Sequence, residues 1–343
     1  MIKTQFGNHI LLAPRHLVYY RCTIIARMKR KVVTITGGSG FVGQMLCNGL
    51  RARGWDVRVF DQFRGPLVDF LRHRFLATSR SRKRLKLAKR LKIIMIGAEV
   101  NLIKRGLLRP SIDNILDLRS RLADRFRGSD VVIHLAGLPH EHVKGAIAAD
   151  FRRINYEGTL NVFEAARDAG VPKFIFASSA QVYKINAPIH LERFPIPEAN
   201  YCPKLEEGQS LYGWLKTQSE QYLAEACRSG NTQSLAMRLE MPGMLSRFYF
   251  NFYASTSIEN LVSGFVCAME AELASGFEAF NLVDAVVDKN VADIQKFLAE
   301  SWPDVPNRTT GNESLLDVEK ARRLLHYDPK PGGTYHDFNV IWD

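Results

Sequence analysis

The stretch KVVTITGGSGFVGQMLCNGLRARG, residues 31–54, decides the fold. Its β-branched start predicts a buried strand, and the glycines that follow predict a tight turn into an amphipathic helix. Gly37, Gly40 and Gly43 have the spacing in which the first glycine makes the turn, the second admits a pyrophosphate and the third allows close helix packing. The amino terminus of the helix would then face the phosphates. The stretch therefore predicts a strand–helix unit that binds a dinucleotide.

The same alternation of strand and helix recurs along the chain. A glycine ends the helical pattern GTLNVFEAARDAG at residues 158–170, and four further segments have strand patterns: DVRVFD (56–61), SDVVIHLAG (129–137), KFIFASS (173–179) and QSLAMRLEMPG (233–243). Sequential units of this kind form a parallel sheet with helices on both faces. We therefore predict an α/β fold with a doubly wound parallel sheet, and a small C-terminal α/β lobe over the carboxyl edge of the sheet.

Two basic segments account for the net charge of +12. Residues 1–31 hold seven Lys and Arg and no acid, and residues 66–110 hold thirteen against two acids. We predict an N-terminal extension (1–28), a dinucleotide-binding domain (29–243) with a basic insertion at about 66–110, and a substrate-binding lobe (244–343). The insertion has the spacing of a basic amphipathic helix, for which a solvated or oligomer-packing surface is the favoured interpretation. Binding to a membrane surface is the alternative.

Composition argues against several classes of protein. The five cysteines are odd in number and scattered, without a Cys-x-x-Cys pair, so they predict neither a disulfide framework nor a zinc site and favour a reducing cytoplasm. No apolar run approaches the roughly 20 residues needed to cross a bilayer. The basic segments carry no recognised nucleic-acid motif. His140-Glu141-His142 lacks a third ligand, so we interpret it as a loop near the cofactor and expect no metal.

Asp61 closes the second predicted strand about twenty residues after the glycines. A carboxylate at this spacing can accept hydrogen bonds from ribose hydroxyls and repel a 2′-phosphate. Asp61 therefore favours NAD over NADP, while Arg64 keeps NADP open as the alternative.

A tyrosine and a lysine follow in the second half of the chain. Tyr212 and Lys216 lie four residues apart in SLYGWLK, after an apolar run that ends in Ser178 and Ser179. A four-residue spacing places both side chains on one face of a helix. With the glycine loop, these features place a proton-relay site next to a dinucleotide site.

Five segments carry a resemblance to a known family. TGGSGFVG, VIHLAG, INYEGTLNVFEAA, FIFASSAQVY and YGWLK, in this order, resemble the extended short-chain dehydrogenase/reductases, also called NAD-dependent epimerase/dehydratases. The likeness covers roughly residues 30–245 and continues more loosely to about residue 330. It implies a Rossmann-type sheet with a carboxyl-terminal substrate lobe, NAD as cofactor and a small sugar-type substrate. It also implies a homodimer formed through the helix with the Tyr/Lys pair and its neighbour.

The resemblance implies roles for four residues in catalysis. Tyr212 would be the general acid/base, although the usual pKa of a tyrosine, about 10, is too high for that work near neutral pH. The Lys216 ammonium would favour the phenolate and hold the nicotinamide ribose. Ser179 would hydrogen-bond the reacting oxygen, with Ser178 as the weaker candidate. Asn155 would support a water and proton relay, with an ordinary helix-surface asparagine as the alternative.

The resemblance also implies a set of cofactor contacts. The glycine loop would hold the pyrophosphate, Asp117-Leu118 would border the adenine and Ala136-Gly137 the inner ribose. The full predicted set is Gly37, Gly40, Phe41, Val42, Gly43, Asp61, Asp117, Leu118, Ala136, Gly137, Tyr212 and Lys216.

The reaction is narrowed by one departure from the family pattern. Dehydratases of the family carry an Asp-Glu pair after the catalytic hydroxyl residue, whereas this chain has Ala180-Gln181. The substitution argues against elimination of water and leaves an epimerase that removes and returns a hydride, or a dehydrogenase that releases NADH.

Some residues favour a nucleotide-sugar substrate and others argue against it. PIPEANYCP (195–203) and Arg308 resemble features of nucleotide-sugar enzymes. Relatives that act on nucleotide sugars usually have Asn three residues after the strand arginine, whereas Arg238 is followed at that spacing by Met241, and Lys184 replaces a usual glycine. We therefore favour a sugar or nucleotide sugar, with a uronate-type or other alcohol dehydrogenase as the alternative. A non-catalytic NAD(P) sensor is the alternative of another class, and the Tyr/Lys pair argues against it.

Overall fold

The computed structural model describes residues 31–61, 114–139, 147–183, 191–201, 210–228, 231–247 and 252–336. The predicted N-terminal extension and the basic insertion lie outside the described residues. Arg64, the His140-Glu141-His142 group and Lys184 also lie outside them.

The described strands form one parallel sheet. Its six strands are β1 (Val32–Thr36), β2 (Asp56–Phe60), β3 (Val131–His134), β4 (Lys173–Ser179), β5 (Gln233–Leu239) and β6 (Phe277–Leu282), in the order β2-β1-β3-β4-β5-β6. All five neighbouring pairs are parallel. The chain runs outward from β1 to β2 and then crosses back to β3, which places the topological switch point between β1 and β3. The predicted α/β, Rossmann-type, doubly wound sheet is confirmed.

Eight α-helices connect and cover the strands in the described part of the chain. They are α1 (Phe41–Ala52), α2 (Arg119–Phe126), α3 (Ala148–Phe151), α4 (Gly158–Asp168), α5 (Leu211–Ala226), α6 (Ile258–Glu270), α7 (Ile294–Ser301) and α8 (Glu319–Leu325). A π-helical segment, Arg152–Glu157, joins α3 to α4, and short 3-10 turns span Ala180–Tyr183 and Glu198–Asn200. None of these described helices is long and apolar enough to span a bilayer.

The sheet is covered on both faces, which explains its continuous apolar strands. Every residue of β1 and of β3 is buried, as expected when helices cover both sides of a parallel sheet. Helices α1 and α6 supply Leu46, Leu50 and Phe265 to one core cluster. Helices α2, α4 and α5 supply residues such as Phe163 and Leu223 to the other.

A third apolar cluster forms the small lobe beyond the carboxyl edge. It joins the segment after β4 to the last third of the chain, through residues such as Tyr183, Phe194, Phe252 and Leu315. Two elements from the predicted lobe, α6 and β6, instead belong to the main body: β6 pairs with β5 and α6 packs against α1. Both elements are largely apolar: β6 is buried as a strand of the sheet, and α6 is buried against the face of the sheet that α1 also covers.

Candidate active site

The glycine loop between β1 and α1 has the geometry that the sequence predicts. Gly37 has φ +71°, and a Cβ atom there would lie 2.7 Å from the backbone nitrogen of Ala136. A Cβ atom at Gly43 would lie 2.3 Å from the Gly37 carbonyl oxygen. Only glycine fits contacts this close. The loop therefore packs closely against the start of α1 and against the residues that follow β3.

This loop fits a dinucleotide phosphate. Gly40 is the N-cap of α1, and no side chain caps the helix. The first turn therefore presents backbone N–H groups, which bind anions and are reinforced by the helix dipole. Phe41 and Val42 begin the helix beside the loop.

Asp61 lies at the end of β2 and contacts the same loop. Its carboxylate oxygen Oδ2 accepts a hydrogen bond from the backbone N–H of Ser39 at 2.8 Å. The carboxylate is thereby held at the edge of the glycine loop, where the predicted ribose contact would form.

Ala136 and Gly137 follow β3 and meet Asn155. The Asn155 side chain is buried; its Oδ1 accepts from the Leu138 N–H at 2.7 Å and its Nδ2 donates to the Leu138 carbonyl at 2.9 Å. A Cβ atom at Gly137 would lie 3.0 Å from Asn155 Oδ1. The Asn155 side chain thus holds the loop that follows β3, and its backbone carbonyl accepts from Ser219 on α5 at 3.5 Å. Its predicted relay role stays a prediction.

Asp117 and Leu118 precede α2. The Leu118 side chain is 68% exposed, and the Asp117 carbonyl accepts a hydrogen bond from Asn161 Nδ2 at 2.9 Å. Leu118 is the N-cap residue of α2 and makes no side-chain cap. An exposed apolar side chain at this place is compatible with the predicted contact with an adenine ring.

Tyr212 and Ser179 are brought together by a close helix approach. Ser179 is close enough to act on the Tyr212 hydroxyl, because hydrogen bonding by Ser179 lowers the pKa of Tyr212 against the effect of burial. Ser179 Oγ also accepts a hydrogen bond from the Gln181 N–H at 3.2 Å. A Cβ atom at Gly213 would lie 2.4 Å from the Gln181 carbonyl oxygen. Gly213 therefore allows α5 to approach the turn after β4 closely enough for Ser179 to act on Tyr212.

Lys216 lies one helical turn after Tyr212 and is buried. Its Nζ donates to the carbonyl of Ala177 in β4 at 2.6 Å and lies 5.6 Å from the centre of the Tyr212 ring. Burial lowers the pKa of Lys216 to about 7, against the opposing effect of the Glu220 carboxylate, which raises it. The ammonium is therefore held close to its titration point.

The protonation of Tyr212 differs from the expectation. The sequence predicts that Lys216 favours the phenolate, yet the pKa of Tyr212 is raised. Burial is the largest cause, and the negative charge of Glu240 adds to it, while the hydrogen bond from Ser179 opposes them. The hydroxyl form of Tyr212 therefore predominates at neutral pH in this structure.

Comparison with known proteins identifies the family. The model of the NAD-dependent epimerase/dehydratase family matches residues 33–242. The chain belongs to this family. The match spans the glycine loop, the Tyr/Lys pair and all described strands except β6. NAD is thus the cofactor, as the sequence predicts, and the family to which the chain belongs is named for NAD-dependent epimerases and dehydratases.

Curated relatives of this family member include two kinds of enzyme. Human sterol-4-alpha-carboxylate 3-dehydrogenase, decarboxylating, is 26% identical over 74% of this chain and 62% of its own length. UDP-glucose 4-epimerase of Bacillus subtilis is 27% identical over 84% of this chain and 80% of its own length. The chain spans less than two thirds of the length of the human dehydrogenase and about half of a UDP-glucose 4-epimerase of Schizosaccharomyces pombe.

A solved structure has the same fold. A short-chain dehydrogenase/reductase superfamily protein of Agrobacterium tumefaciens, crystallised with bound NAD, superposes with a TM-score of 0.56 at 20% identity. The superposition covers 87% of this chain and 92% of that one.

Besides the family's motif residues, a buried ionic network lies behind the Tyr/Lys face. Glu220 follows Lys216 by one helical turn, and its carboxylate accepts from Ser178 Oγ at 2.5 Å and from Arg238 Nη2 at 2.6 Å. Ser178 therefore faces Glu220, whereas its neighbour Ser179, the last residue of β4, lies near Tyr212 further toward the amino terminus of α5. In the sequence, the four-residue spacing of Lys216 and Glu220 was the feature that could have indicated this buried network.

Two further residues near the site were missed by sequence reasoning. Glu240, the residue after β5, is buried. His336, from the C-terminal segment, packs edge-on against Phe41 at 5.3 Å between ring centres. His336 lies far along the chain from the segments that resemble the family, so only the folded chain brings it to the glycine loop.

A histidine near the site is part of the core. His134 Nδ1 is hydrogen-bonded to Thr36 Oγ1 at 2.7 Å and its Nε2 to Thr159 Oγ1 at 3.0 Å. Burial lowers the pKa of His134 to about 3, with Lys216 as a second cause, so the ring is neutral. Within the described ranges, no three His, Cys, Asp or Glu side chains are grouped as metal ligands.

Proposed function

We propose that this enzyme uses NAD to oxidise, and in reverse reduce, a hydroxyl-bearing carbon of a sugar or nucleotide sugar. The observation that carries the proposal is that Ser179 is close enough to Tyr212 to act on its hydroxyl, with Lys216 buried one turn away on the same face of α5. NAD, when bound, supplies the nicotinamide carbon that takes up or returns a hydride. The chain supplies the proton transfer and the electrostatic stabilisation.

Tyr212 is the group that we assign to proton transfer. In the reductive direction its hydroxyl donates a proton to the carbonyl oxygen, and in the oxidative direction the phenolate accepts the proton of the substrate hydroxyl. The raised pKa of Tyr212 keeps the donating form populated. Ser179 is placed to hydrogen-bond the same oxygen and stabilise the charge that develops on it.

Lys216 is assigned an electrostatic role. Its Nζ is fixed by the Ala177 carbonyl and lies near the Tyr212 ring. When protonated, a cation at this place lowers the free energy of the phenolate. Glu220 favours the protonated form of Lys216.

Epimerisation and net dehydrogenation share this chemistry. The turn that follows Ser179 begins with Ala180-Gln181 and therefore offers no carboxylate pair for the elimination of water. One curated relative is named as an epimerase and another as a dehydrogenase. Both outcomes are retained in the proposal, and product analysis distinguishes them.

A uronate-type sugar-acid dehydrogenase is the second candidate. It is favoured by Met241, which stands three residues after Arg238 where nucleotide-sugar enzymes usually have asparagine. A thioether does not donate the hydrogen bonds that a diphosphate accepts. Arg308, the predicted diphosphate residue, is exposed on the lobe, where its backbone N–H donates to Phe194 at 2.9 Å.

The experiment is a substrate panel with the purified full chain. Bound nucleotide is first identified by extraction, and the protein is then incubated with NAD and a series of sugars, nucleotide sugars and uronic acids. Net NADH formation identifies a dehydrogenase, and isomer exchange without NADH identifies an epimerase. Bound NAD without any conversion across the panel would contradict the proposal and favour a non-catalytic sensor.

We also propose a homodimer formed through α4 and α5. The two helices are neighbours, joined by a hydrogen bond from the Tyr222 hydroxyl to Glu164 Oε1 at 2.8 Å, and Leu160 and Trp214 are partly exposed on them. Light scattering on the purified protein measures its oligomeric state, and a monomeric mass would contradict the proposed dimer.

We also propose, from the cysteine pattern, that the protein resides in a reducing cytoplasm. Cell fractionation tests this location.

A further inference from the structure

The last residues that the structure describes, 328–336, return from α8 to the amino terminus of α6. The Lys330 N–H donates to Asn260 Oδ1 at 2.9 Å, and Asn260 Nδ2 donates to the Lys330 carbonyl at 2.9 Å. The Ile258 N–H donates to the Thr334 carbonyl at 3.0 Å. We call residues 328–336 the C-terminal segment. Its hydrogen bonds to two residues of α6 fix its path toward the glycine loop.

Two further contacts fix the end of the C-terminal segment. The Tyr335 hydroxyl donates to the buried carboxylate of Asp284, which follows β6. The His336 N–H donates to the Gly243 carbonyl at 2.7 Å, and His336 forms a parallel β-bridge with Met244. The backbone of His336 is therefore held beside the segment that follows β5.

The His336 ring lies against the residue that begins the nucleotide-binding helix. Its centre is 5.3 Å from that of the Phe41 ring, at an interplanar angle of 61°. Phe41 is the first residue of α1, and the N–H groups of a first helical turn have no acceptor within the helix and bind anions. A Cβ atom at Gly243 would lie 3.5 Å from Phe41 Cε1. The His336 imidazole therefore lies at the rim of the phosphate-binding loop.

The His336 imidazole is available to a ligand. The residue is exposed, and among the described residues no side chain forms a hydrogen bond with the ring. Two carboxylates that contact the C-terminal segment, Asp284 and Glu259, bind Tyr335 and Thr334 instead. Burial lowers the pKa of His336, so the ring is neutral at pH 7 and has one N–H donor.

The position of His336 indicates which half of the dinucleotide it can contact. Asp61, the predicted ribose contact, follows β2, which lies on one side of β1. Ser179 ends β4, on the other side of β1, and Tyr212 lies near it. A dinucleotide with its pyrophosphate at the glycine loop would therefore extend its adenosine toward Asp61 and its nicotinamide toward Ser179. His336 is attached to the segment after β5 and is thus on the nicotinamide side.

We propose that the His336 imidazole donates a hydrogen bond to the nicotinamide-side phosphate of NAD. The N–H groups at the start of α1 and the imidazole of the C-terminal segment then bind the pyrophosphate together. Hydrogen bonds to a charged acceptor are stronger than those between neutral groups. The inference concerns the cofactor and does not depend on the substrate or the reaction proposed above.

The test measures the binding of NAD and two of its fragments by isothermal titration, with the full chain after bound nucleotide has been removed. ADP-ribose contains both phosphates, whereas AMP contains only the adenine-side phosphate. His336→Phe keeps an aromatic ring against Phe41 and removes the N–H donor. We expect the Kd for NAD and for ADP-ribose to rise by about tenfold, and the Kd for AMP to change by less than about twofold.

Two further variants separate the hydrogen bond from general effects. His336→Gln keeps a donor at this position, so its Kd for NAD should stay within about threefold of the wild-type value. His326→Asn is the control, because His326 is an exposed histidine after α8 with φ +56°, a conformation that asparagine also adopts. It should leave all three Kd values unchanged.

Three results would overturn the inference. They are an unchanged Kd for NAD in His336→Phe, an equal rise in the Kd for AMP, and equal losses in His336→Gln and His336→Phe. If thermal unfolding shows that His336→Phe does not fold, His336→Ala removes the same donor and is compared with His336→Gln in the same way. A wild type that binds NAD but converts no substrate would contradict the proposed function and leave this inference intact.

Discussion

Arg238 and Glu220 form a two-point ion pair that is buried behind the Tyr/Lys face. Arg238 Nε lies 3.0 Å from Glu220 Oε1, and Nη2 lies 2.6 Å from Oε2. The side chains are 2% and 5% exposed. The Arg238 Nη1 group also donates to the Tyr183 hydroxyl at 2.9 Å. The pair thus connects α5, which carries Tyr212, the residue that we propose transfers the proton, to β5 and to the turn after β4.

Breaking this pair should destabilise the protein strongly. Glu220→Gln leaves the buried guanidinium without a counter-charge, so we expect the free energy of unfolding to fall by about 3 to 5 kcal/mol. Glu225→Gln is the control on the same helix: its partner Arg228 lies at 2.6 Å, but both side chains are more than two thirds exposed, so a change within about 0.5 kcal/mol is expected. Urea unfolding measures both. Equal losses in the two variants would contradict the structural role of the buried pair.

The buried Lys216 should make stability depend on pH. Its pKa of about 7 in the folded chain is far below the unfolded value of about 10.4. Between these pH values the unfolded state binds more protons than the folded state, so stability rises with pH. Relative to Lys216→Met, the wild type should gain about 2 kcal/mol in free energy of unfolding between pH 7 and pH 9. A pH-independent difference between the two would show that Lys216 is not strongly perturbed.

Gly213→Ala should impair catalysis more than cofactor binding. The added methyl group would lie 2.4 Å from the Gln181 carbonyl oxygen, so α5 must move away from the turn that holds Ser179. A displacement of about 1 Å at reacting groups lowers kcat by up to about a hundredfold. We expect kcat to fall at least about tenfold while the Kd for NAD changes by less than about twofold, on the same grounds. Unchanged kcat would show that the close approach is not required.

Asp61→Asn should weaken the preference for NAD over NADP. The carboxylate at the edge of the glycine loop repels a 2′-phosphate, and its removal should shift the ratio of the two Kd values toward NADP by about tenfold. Asp56→Asn, an exposed position at the start of the same strand, is the matched control. Isothermal titration with both nucleotides measures the ratios. The same shift in both variants would indicate a general charge effect instead of a local one.

The part of the fold that contains the family motifs could be predicted from the sequence. The glycine spacing and the apolar runs predict the strands from β1 to β5, because periodicity reports burial directly. The assignment of α6 and β6 to the lobe does not hold in the structure, because a single apolar helix and strand have the same pattern in either layer. Pairing across β5 and β6 is a long-range property that local sequence does not encode.

The sequence predicted only part of the candidate site, because the rest also depends on contacts between distant parts of the chain. Tyr212, Lys216 and Ser179 lie in recognisable segments and meet in the structure. Glu240 follows the predicted strand and has no motif of its own, so its closeness to Tyr212 depends on the register of β4 and β5. The pKa of Tyr212 is raised by burial and by Glu240. The helical spacing of the Tyr/Lys pair reveals neither of these causes.

The most direct test of proton transfer by Tyr212 is the rate of single-turnover conversion in Tyr212→Phe, with the productive substrate identified by the panel. Removing the hydroxyl should lower this rate by about a hundredfold or more, while the Kd for NAD stays within about twofold, because the glycine loop is untouched. Tyr222→Phe on the same helix, whose hydroxyl binds Glu164, should retain the wild-type rate. Wild-type turnover in Tyr212→Phe would contradict the assignment.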